Sequence, residues 1–370
     1  MRVIMAAAGT GGHINPAIAI ANKIKKEEPD SEIIFIGAFV GLEKDLVPRA
    51  GYELKQIESY GIARHPTTTN IKNFHKTINT SVVQAKKIIK EFKPDLIIGT
   101  GGYVCVSVGI AARLLKVPYI IHESNVLPGI ATKLIARRAK KVLLGFEEAK
   151  EKLPRGTKVV VTGTPTIVEK IELTPEEIKA KKKELGFDPE KPLVIVFGGS
   201  QGAKSINLTM EEIIRKKINK TYQLMWAVGP TQYPIVKADL AKENIDIEHL
   251  ENIQAVNYIY NMEEILNISD LAVSRSGAMA ITELEKIGTP AIFIPFPFAA
   301  ENHQEYNARA LEKEGAAKVI LDKDLNYEIL DKTILDIISD KSTLEKMSKN
   351  IAKLSVKKPE DLIYKELKVD

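Results

Sequence analysis

Residues 2–13 read RVIMAAAGTGGH, an apolar run followed by a turn with three glycines. Small and apolar residues then alternate from 17 to 24, so the stretch predicts a buried strand, a tight turn and a helix. Glycine lets the backbone approach a ligand closely, and a helix start offers unpaired N–H groups at the positive end of its dipole. The segment Gly9–His13, which we call the first glycine turn, is therefore predicted to bind a phosphate or another anion.

An apolar run followed by a glycine-rich turn occurs twice more. GTGGY at 99–103 follows the apolar run at 96–98, and GGSQGA at 198–203 follows the run at 193–197. We call these segments the second and the third glycine turn. Three strand-to-glycine turns in one chain predict an enzyme that binds several phosphate groups.

Composition indicates a soluble globular protein with two domains. The chain has 370 residues, of which 44% are apolar and 27% charged; domains of about 150 to 200 residues are the default at this length. The single Cys105 excludes an internal disulfide framework and is expected to be a small buried apolar residue. No cluster of metal ligands is visible in the sequence. A net charge of +5, without a basic patch interleaved with aromatic residues, argues against a nucleic-acid partner.

No apolar run approaches the ~18 to 20 residues that a membrane-spanning helix needs. The N-terminus enters a strand at once and lacks the pattern of a signal peptide. We therefore expect an intracellular protein. The mild basic excess suits anionic ligands and anionic lipid surfaces.

Strand-like runs alternate with helical patterns from residue 1 to about 163, and a second such set begins after Thr174-Pro175. This alternation predicts right-handed crossovers and mainly parallel sheets covered by helices on both faces. The predicted strands of the first set are 3–8, 32–36, 96–98, 119–121, 141–144 and 158–162. Those of the second set are 191–197, 221–228, 271–273, 291–294 and 317–320.

The sequence therefore predicts the α/β class with two doubly wound, Rossmann-like domains. A break at Gly163-Thr164-Pro165-Thr166 is the expected hinge, which gives a first domain at 1–163 and a second at 164–340. The tail at 341–370 is helical by pattern, and its final helix is expected to reach back to the first domain. Ligands of such sheets gather at the carboxyl ends of the strands.

An amphipathic helix is predicted between Lys72 and Lys93. At 100° per residue one face carries the apolar side chains Phe74, Ile78, Val82, Ala85 and Ile89. The opposite face carries Lys72, Lys76, Lys86, Lys87 and Lys90. Either this face is simply solvated, or it binds an anionic lipid leaflet together with the tip around Ile71 and Phe74. Each lysine could then add up to ~1 kcal/mol.

Two groups of polar residues follow predicted strands of the first domain. His13 comes just past the first glycine turn, where an imidazole is well placed to take a proton; alternatively it only hydrogen-bonds phosphate or backbone. His122-Glu123-Ser124-Asn125 follows a buried strand, and four polar residues there are costly unless they face a site or satisfy the loop backbone.

Polar residues in the second domain have the pattern of a nucleotide-sugar site. Ser274–Glu283 runs from a strand through a turn into a helix, where the Glu283 carboxylate can accept two vicinal hydroxyls of a ribose or act as a helix-dipole partner. Pro295-Phe296-Pro297-Phe298 is a rigid loop, and the polar quartet Glu301-Asn302-His303-Gln304 after it is typical of a sugar-reading edge.

Taken together, these stretches resemble the MurG family, the bacterial N-acetylglucosaminyltransferases that act on undecaprenyl-diphospho-muramoyl-pentapeptide. The similarity runs over nearly the whole chain, and the order and spacing of its motifs make it specific. The motifs are GTGGH at 9–13, GTGGY at 99–103, HESN at 122–125, GGSQGA at 198–203, SRSGA at 274–278 with Glu283, and HQ-x-x-NA at 303–308.

The resemblance implies a GT-B fold, in which two Rossmann-like domains face each other across a cleft. The first domain would bind the lipid-linked acceptor and the second UDP-N-acetylglucosamine (UDP-GlcNAc). It implies donor contacts by Thr10, Gly11, Gly12, Asn125, Ser200, the main chain at Ile259, Arg275, Ala278, Glu283, His303 and Gln304. It implies acceptor-diphosphate contacts by Gly11, Gly12, Gly101, Gly102 and Tyr103.

The resemblance also implies an inverting displacement in which the 4-hydroxyl of N-acetylmuramic acid attacks the anomeric carbon as UDP departs. His13 is the leading candidate for the base, and Glu123 or a water-bridged group is the rival. Helix N-termini, glycine-turn amides, Ser200 and Arg275 would stabilise the diphosphate without a tightly bound metal or another cofactor. The expected location is the cytoplasmic face of the membrane, peripherally bound to anionic inner-leaflet lipids, with a role in peptidoglycan synthesis, cell shape and division.

The chain departs from the family pattern at two positions. Ile167 stands where the family often has an arginine near the nucleotide, and Lys170 is the candidate to replace that charge. The sugar-reading pair is His303-Gln304, where some members have two glutamines.

Other functions remain as alternatives. One is a related lipid glycosyltransferase with a diacylglycerol acceptor, and another is a GT-B epimerase that acts on UDP-GlcNAc. A Rossmann dehydrogenase or a nucleotide-binding scaffold fits poorly, because the glycine turns at 9–13 and 198–203 do not give G-x-G-x-x-G. Ile36-Gly37-Ala38 also stands where such an enzyme carries its acidic residue.

Overall fold

A computed structural model describes residues 1–59, 68–299, 302–356 and 358–368, with no description of the side chains of 68–78. Contacts between residues divide the chain into two compact units. Unit 1 comprises Met1–Ile167 and Val356–Asp370, and unit 2 comprises Val168–Ser355.

Unit 1 is built on a seven-stranded parallel sheet with the strand order β3-β2-β1-β4-β5-β6-β7. Its strands are β1 (Arg2–Ala7), β2 (Glu32–Ala38), β3 (Glu53–Ile57), β4 (Leu96–Gly101), β5 (Tyr119–Glu123), β6 (Lys141–Leu144) and β7 (Val159–Val161). Its helices are α1 (Gly11–Glu27), α2 (Glu43–Arg49), α3 (Thr68–Phe92), α4 (Val104–Leu114) and α5 (Ile130–Ile135), to which the final helix of the chain is added. Short 3₁₀ helices occupy Ala136–Arg138 and Glu147–Lys152.

Unit 2 is built on a six-stranded parallel sheet with the order β10-β9-β8-β11-β12-β13. Its strands are β8 (Leu193–Phe197), β9 (Gln223–Ala227), β10 (Ile253–Val256), β11 (Leu271–Ser274), β12 (Ala291–Phe293) and β13 (Ala317–Val319). Its helices are α6 (Pro175–Glu184), α7 (Lys204–Lys216), α8 (Tyr233–Ala241), α9 (Met262–Ile268), α10 (Ala278–Ile287), α11 (His303–Lys313), α12 (Tyr327–Ile338) and α13 (Lys341–Leu354). A short 3₁₀ helix lies at Asp322–Asp324. The last helix of the chain, α14 (Pro359–Leu367), belongs to unit 1.

Both sheets have the strand order of the Rossmann fold, so the predicted α/β class with two Rossmann-like domains is confirmed. The apolar runs that predicted the central strands are almost fully buried; all five residues of β8 and five of the six in β1 are buried. Successive strands are added in one direction from β1 to β3 and in the other direction from β4 onward, so the order of strands reverses between β1 and β4 in unit 1. The same reversal lies between β8 and β11 in unit 2. These are the switch points at which such sheets bind ligands.

Two strands, β3 and β10, were not predicted from the sequence, and both are edge strands. In β3, Glu53 and Lys55 are exposed, and in β10 only Ile253 is fully buried. An edge strand is covered less than a central one, so it needs no continuous apolar run. Hydrogen bonding to β2 and β9 makes these segments strands, although their own sequences do not show it.

Helix α3 has the amphipathic arrangement expected of the lysine-rich segment. Ala85 and Ile89 are buried in the core of unit 1, whereas Lys87 and Lys90 are exposed. The side chains of Ile71, Lys72, Phe74, Lys76 and Ile78, on which the proposed lipid-binding tip depends, lie outside the described residues.

The C-terminal tail is divided between the units. Helix α13 lies against α10 in unit 2, where the Ser348 hydroxyl donates to the Gly288 carbonyl at 2.7 Å. Helix α14 lies on α1 in unit 1, with Ile363 and Leu367 buried in the core and the Tyr364 hydroxyl 2.8 Å from Glu28 Oε1.

Candidate active site

The first and second glycine turns meet at the β1/β4 switch point. The Ala8 N–H donates to the Gly101 carbonyl at 3.3 Å, and the Thr100 hydroxyl donates to the His13 carbonyl at 2.7 Å. Gly101 and Gly102 have φ angles of +137° and +84°. A Cβ on Gly101 would overlap the His13 ring, and one on Gly102 would overlap the Ala8 carbonyl. Glycine is needed here for both backbone conformation and close approach.

Helix α1 begins at this junction without a side-chain cap. Thr10 is its N-cap residue in extended conformation, but its hydroxyl makes no capping hydrogen bond, and the first turn contains no acidic residue. The N–H groups of Gly11 and Gly12 therefore keep the partial positive charge of a helix start, which suits an anionic ligand. Helix α4, which follows Tyr103, also begins without a side-chain cap.

His13 is the candidate base at this junction. Burial lowers the pKa of the imidazole below its usual value of 6.5, and the Glu123 carboxylate, a hydrogen bond with the Thr100 backbone and the Glu43 carboxylate only partly oppose this effect. His13 is therefore neutral at pH 7. A neutral imidazole beside an anion-binding helix start can accept a proton, which is what the predicted base must do.

Glu123 lies on the neighbouring strand but does not have the environment of a base. Its Oε1 accepts from the backbone N–H and the side-chain amide of Asn125 at 3.1 and 2.9 Å. Its Oε2 accepts from the Gly129 N–H at 3.0 Å and the Thr132 hydroxyl at 2.7 Å. These four bonds use the whole acceptor capacity of a carboxylate. We therefore assign Glu123 a positioning role, in place of the rival base predicted from the sequence: it holds Asn125 and the start of α5.

His122 is also structural. Its Nε2–H donates to the Gly163 carbonyl at 3.0 Å, and its Nδ1 lies 3.4 Å from the Ser124 hydroxyl. The ring is fully buried, and burial lowers its pKa. The polar residues after β5 thus largely satisfy the loop, which was the alternative interpretation of this motif.

The third glycine turn forms the corresponding junction of unit 2. Gly199 and Gly202 have φ angles of +85° and +76°, and the Gly202 N–H donates to the Gly199 carbonyl at 3.0 Å. A Cβ on Gly202 would overlap the Val228 carbonyl at the end of β9. Ser200 lies half-buried in this turn, and α7 begins after it without a side-chain cap. The arrangement suits a phosphate group.

Glu283 is a buried carboxylate on α10, the helix that follows β11. Helix α10 begins at Ala278 without a side-chain cap. Among the residues that the structure describes, the Glu283 carboxylate has no ion-pair partner. Burial raises its pKa to about 7. A buried acid without a cation is costly unless a ligand donates to it, so its surroundings suit the predicted ribose contact.

Arg275 makes contacts within unit 2 that the sequence did not predict. Its guanidinium donates to the carbonyls of Ile294 and Pro295 at 3.0 and 3.1 Å and to the Ser205 hydroxyl at 2.9 Å, and it forms an ion pair with Asp322. Because Asp322 neutralises its charge, stabilisation of the diphosphate by Arg275 is not supported. The arginine instead joins β11, α7 and the loop after β12. Asp322 was not predicted, because nothing in its local sequence indicates an arginine partner.

Gln304 is oriented by the rigid loop that precedes it. Its Oε1 accepts from the Phe296 N–H at 2.9 Å, and its carbonyl accepts from the Ser276 hydroxyl at 2.8 Å. The side-chain amide nitrogen is therefore the group that can donate to a ligand. His303 is the first residue of α11 and is half-buried.

At three further positions the structure shows no contact that bears on a role in donor binding. Ile259 is buried in the segment between β10 and α9, next to the paired rings of Tyr258 and Tyr260, and its main-chain contact with uracil stays a prediction. Ile167 packs against the apolar core of unit 1. Lys170 is exposed, with its Nζ 3.8 Å from Glu172 Oε1, and has no contact that assigns it the role of the missing arginine.

The predicted site residues thus form two sets, one at the strand ends of each unit. The unit 1 set is Thr10, Gly11, Gly12, His13, Gly101, Gly102, Tyr103, Glu123 and Asn125. The unit 2 set is Ser200, Ile259, Arg275, Ala278, Glu283, His303 and Gln304. Within the described parts of the chain, no three His, Cys, Asp or Glu residues cluster as metal ligands, and no helix is long and apolar enough to cross a membrane.

Comparison with known proteins identifies the family. Residues 3–144 match the N-terminal domain of glycosyltransferase family 28, and residues 193–363 match its C-terminal domain. The UDP-N-acetylglucosamine--N-acetylmuramyl-(pentapeptide) pyrophosphoryl-undecaprenol N-acetylglucosamine transferase of Thermoanaerobacter sp. strain X514 is 42% identical over 368 residues, which cover 100% of this chain and 99% of that protein.

Two solved structures extend the comparison. The crystal structure of Acinetobacter baumannii MurG has a TM-score of 0.67 at 26% identity and covers 99% of this chain and 98% of its own. UDP-GlcNAc 2-epimerase from Neisseria meningitidis, bound to UDP-GlcNAc, has a TM-score of 0.63 at 14% identity, with 99% of both chains covered, and is similar in fold alone. The chain is 42% identical to a glycosyltransferase over its full length and matches the models of both family domains. It is therefore a glycosyltransferase of family 28 with the GT-B class of fold.

Proposed function

We propose that this chain transfers GlcNAc from UDP-GlcNAc to the 4-hydroxyl of N-acetylmuramic acid in undecaprenyl-diphospho-muramoyl-pentapeptide, a step of peptidoglycan synthesis. The observation that carries the proposal is His13, a histidine held neutral beside the uncapped start of α1. The Thermoanaerobacter relative supplies the choice of substrates, since its name states this donor and this acceptor.

The residues of unit 2 would hold the donor. The third glycine turn and the start of α7 would bind the diphosphate through backbone N–H groups, with Ser200 beside it. The ribose hydroxyls would donate to Glu283, and the Gln304 amide nitrogen would donate to a sugar oxygen. Arg275 would keep the loop that carries Phe296, and therefore Gln304, in place.

The residues of unit 1 would hold the acceptor and the transferred sugar. The N–H groups of Gly11 and Gly12, with the second glycine turn, would bind the acceptor diphosphate. The neutral imidazole of His13 would take the proton of the 4-hydroxyl as its oxygen bonds to the anomeric carbon. The bond between that carbon and the UDP oxygen would break with its electron pair on UDP. One displacement converts the α-linked donor into a β-linked product.

We also propose that the protein binds the cytoplasmic face of the membrane peripherally, through anionic lipids. Helices α4 and α5, which pack against each other, expose Leu114, Ile130 and Leu134. The exposed cations beside these side chains are Arg113, Lys116, Lys133, Arg137 and Arg138. Apolar side chains ringed by cations suit insertion between anionic headgroups. Helix α3, with its lysine face, packs against α4 and would extend this surface.

The test is transfer of labelled GlcNAc from UDP-GlcNAc to muramoyl-diphospho-undecaprenol. Formation of the labelled disaccharide lipid, with release of UDP, is expected. Parallel reactions with diacylglycerol or without an acceptor test the alternatives. Labelled glycolipid from diacylglycerol alone, or free epimerised sugar nucleotide, would overturn the proposal.

A further inference from the structure

Glu43 is a buried acid that the proposed mechanism does not use. It is the first residue of α2 and is fully buried. Its Oε2 accepts from the Gly9 N–H at 2.9 Å, and its Oε1 accepts from the Ala38 N–H at 3.0 Å. One carboxylate therefore ties the first glycine turn to the end of β2.

The backbone around Glu43 is arranged to admit its side chain. Gly41 has a φ of +150°, and a Cβ there would overlap the Glu43 carboxylate. A Cβ on Gly37 would lie 2.8 Å from the Glu43 Cγ. The Leu42 N–H also donates to the Gly9 carbonyl at 3.2 Å, so both backbone polar groups of Gly9 are held by this loop. The first glycine turn is thus fixed at Gly9 by the loop that carries Glu43.

The same carboxylate acts on His13 through space. The groups that act on the imidazole are the charges of Glu123 on β5 and Glu43 on α2 and a hydrogen bond with the Thr100 backbone on β4, and each of them favours its protonated form. Burial outweighs all three. Glu43 therefore both holds the first glycine turn, through Gly9, and raises the basicity of His13.

We propose that Glu43 is a positioning residue for glycosyl transfer, which holds the first glycine turn in its ligand-binding conformation and supports His13 as a proton acceptor. This inference rests on the proposed function for its catalytic part. The effect on His13 is independent of substrate and can be measured separately.

The experiment compares the full-length wild-type protein with Glu43→Gln and Glu43→Asp. Titration of the His13 ring is followed by NMR on protein with ¹³C-labelled histidine, and His13→Asn assigns the signal. Glu43→Gln removes the charge and replaces one acceptor by a donor, so the midpoint should fall by about half a pH unit. Glu43→Asp keeps the charge but shortens the reach, so the midpoint should stay within about 0.2 pH unit of wild type.

Transfer kinetics provide the second measurement. Both variants should lose about tenfold or more in kcat because the glycine turn loosens, while the Kd for UDP, which unit 2 would bind, stays unchanged. The matched control is Glu211→Gln, a buried carboxylate of unit 2 that pairs with Arg215. It should lower stability without moving the His13 midpoint.

An unchanged His13 midpoint together with wild-type kcat in folded Glu43→Gln would overturn the proposal. If Glu43→Gln does not fold, the test is the kcat of Glu43→Asp. A wild-type kcat in Glu43→Asp would then overturn the proposal. If His13→Asn retains full transfer activity, the assignment of His13 as the base is wrong. The effect of Glu43 on the His13 midpoint is still tested separately, by the NMR titration of Glu43→Gln.

Discussion

The imidazole of His13 lies directly against the Cα of Gly101, at the point where the first and second glycine turns meet. Because Gly101 has a φ of +137°, any other residue there would strain the backbone and also place its Cβ within the His13 ring. The position of the candidate base is therefore set by a residue 88 positions away in the chain.

Gly101→Ala should displace His13 and reduce kcat by about 10²-fold, since small misplacements of a reacting group are costly. Gly156→Ala is a suitable control, because Gly156 also has a positive φ of +83° but a Cβ there would contact nothing within 4 Å. Both substitutions strain the backbone, and Gly101→Ala adds the overlap with His13, so thermal unfolding should show a loss of stability in both and a larger one in Gly101→Ala. Equal kcat values in the two variants would argue against steric positioning of His13.

His13→Ala should lower kcat by about 10² to 10⁴-fold, the usual contribution of a general base. In the wild-type protein, activity should rise with pH through the pKa of His13, which burial places below 6.5, because only the neutral imidazole accepts a proton. This acidic limb should disappear from the pH profile of kcat/KM in the variant. The exposed His249 offers a control, as His249→Ala should change neither rate nor profile. Near-wild-type turnover in His13→Ala would exclude the assignment.

Asp322→Asn should weaken donor binding through Arg275. Removal of one partner from a buried ion pair costs about 3–5 kcal/mol of stability, and less is expected here because Asp322 is half-buried; the change would also loosen the hydrogen bonds of Arg275 to the carbonyls of Ile294 and Pro295. The Phe296 N–H would then hold Gln304 less firmly, so the KM for UDP-GlcNAc should rise about tenfold.

The measurement that separates this effect from general destabilisation is the Kd for UDP, which lacks the sugar. It should change much less than the KM for UDP-GlcNAc. Asp336→Asn, which breaks the exposed ion pair with Lys332 on α12, should change neither constant. A parallel loss of UDP and UDP-GlcNAc binding would indicate that Asp322 acts on the whole of unit 2.

The sequence predicted the parts of the fold that local pattern determines. Apolar runs predicted the central strands, and the glycine turns at 9–13, 99–103 and 198–203 marked the ends of β1, β4 and β8, because buried strands and tight turns restrict residue type. The edge strands β3 and β10 were missed because their exposed faces tolerate polar residues such as Glu53. Glu43 and Asp322 were missed for another reason. A carboxylate inside the fold is recognisable only through its partners, and the partner of the half-buried Asp322, Arg275, lies 47 positions earlier in the chain.

The pKa of Glu283 leads to a final prediction, on the pH dependence of UDP binding. Burial raises this pKa to about 7, and the ionised carboxylate accepts hydrogen bonds at both oxygens more strongly than the protonated acid, one of whose oxygens is itself a donor. UDP affinity should therefore increase by up to about tenfold as pH rises from 6 to 8, as the folded protein loses this proton. Calorimetric titration over this range measures the effect.

Glu285 lies on the same helix, and its pKa is also raised to about 7, so Glu285→Gln is the matched control and should keep the pH dependence of UDP affinity. Glu283→Gln should bind UDP more weakly, and its affinity should vary with pH only as far as the phosphates of UDP titrate. If Glu283→Gln retained the full increase between pH 6 and 8, the ribose contact would have to be assigned to another residue.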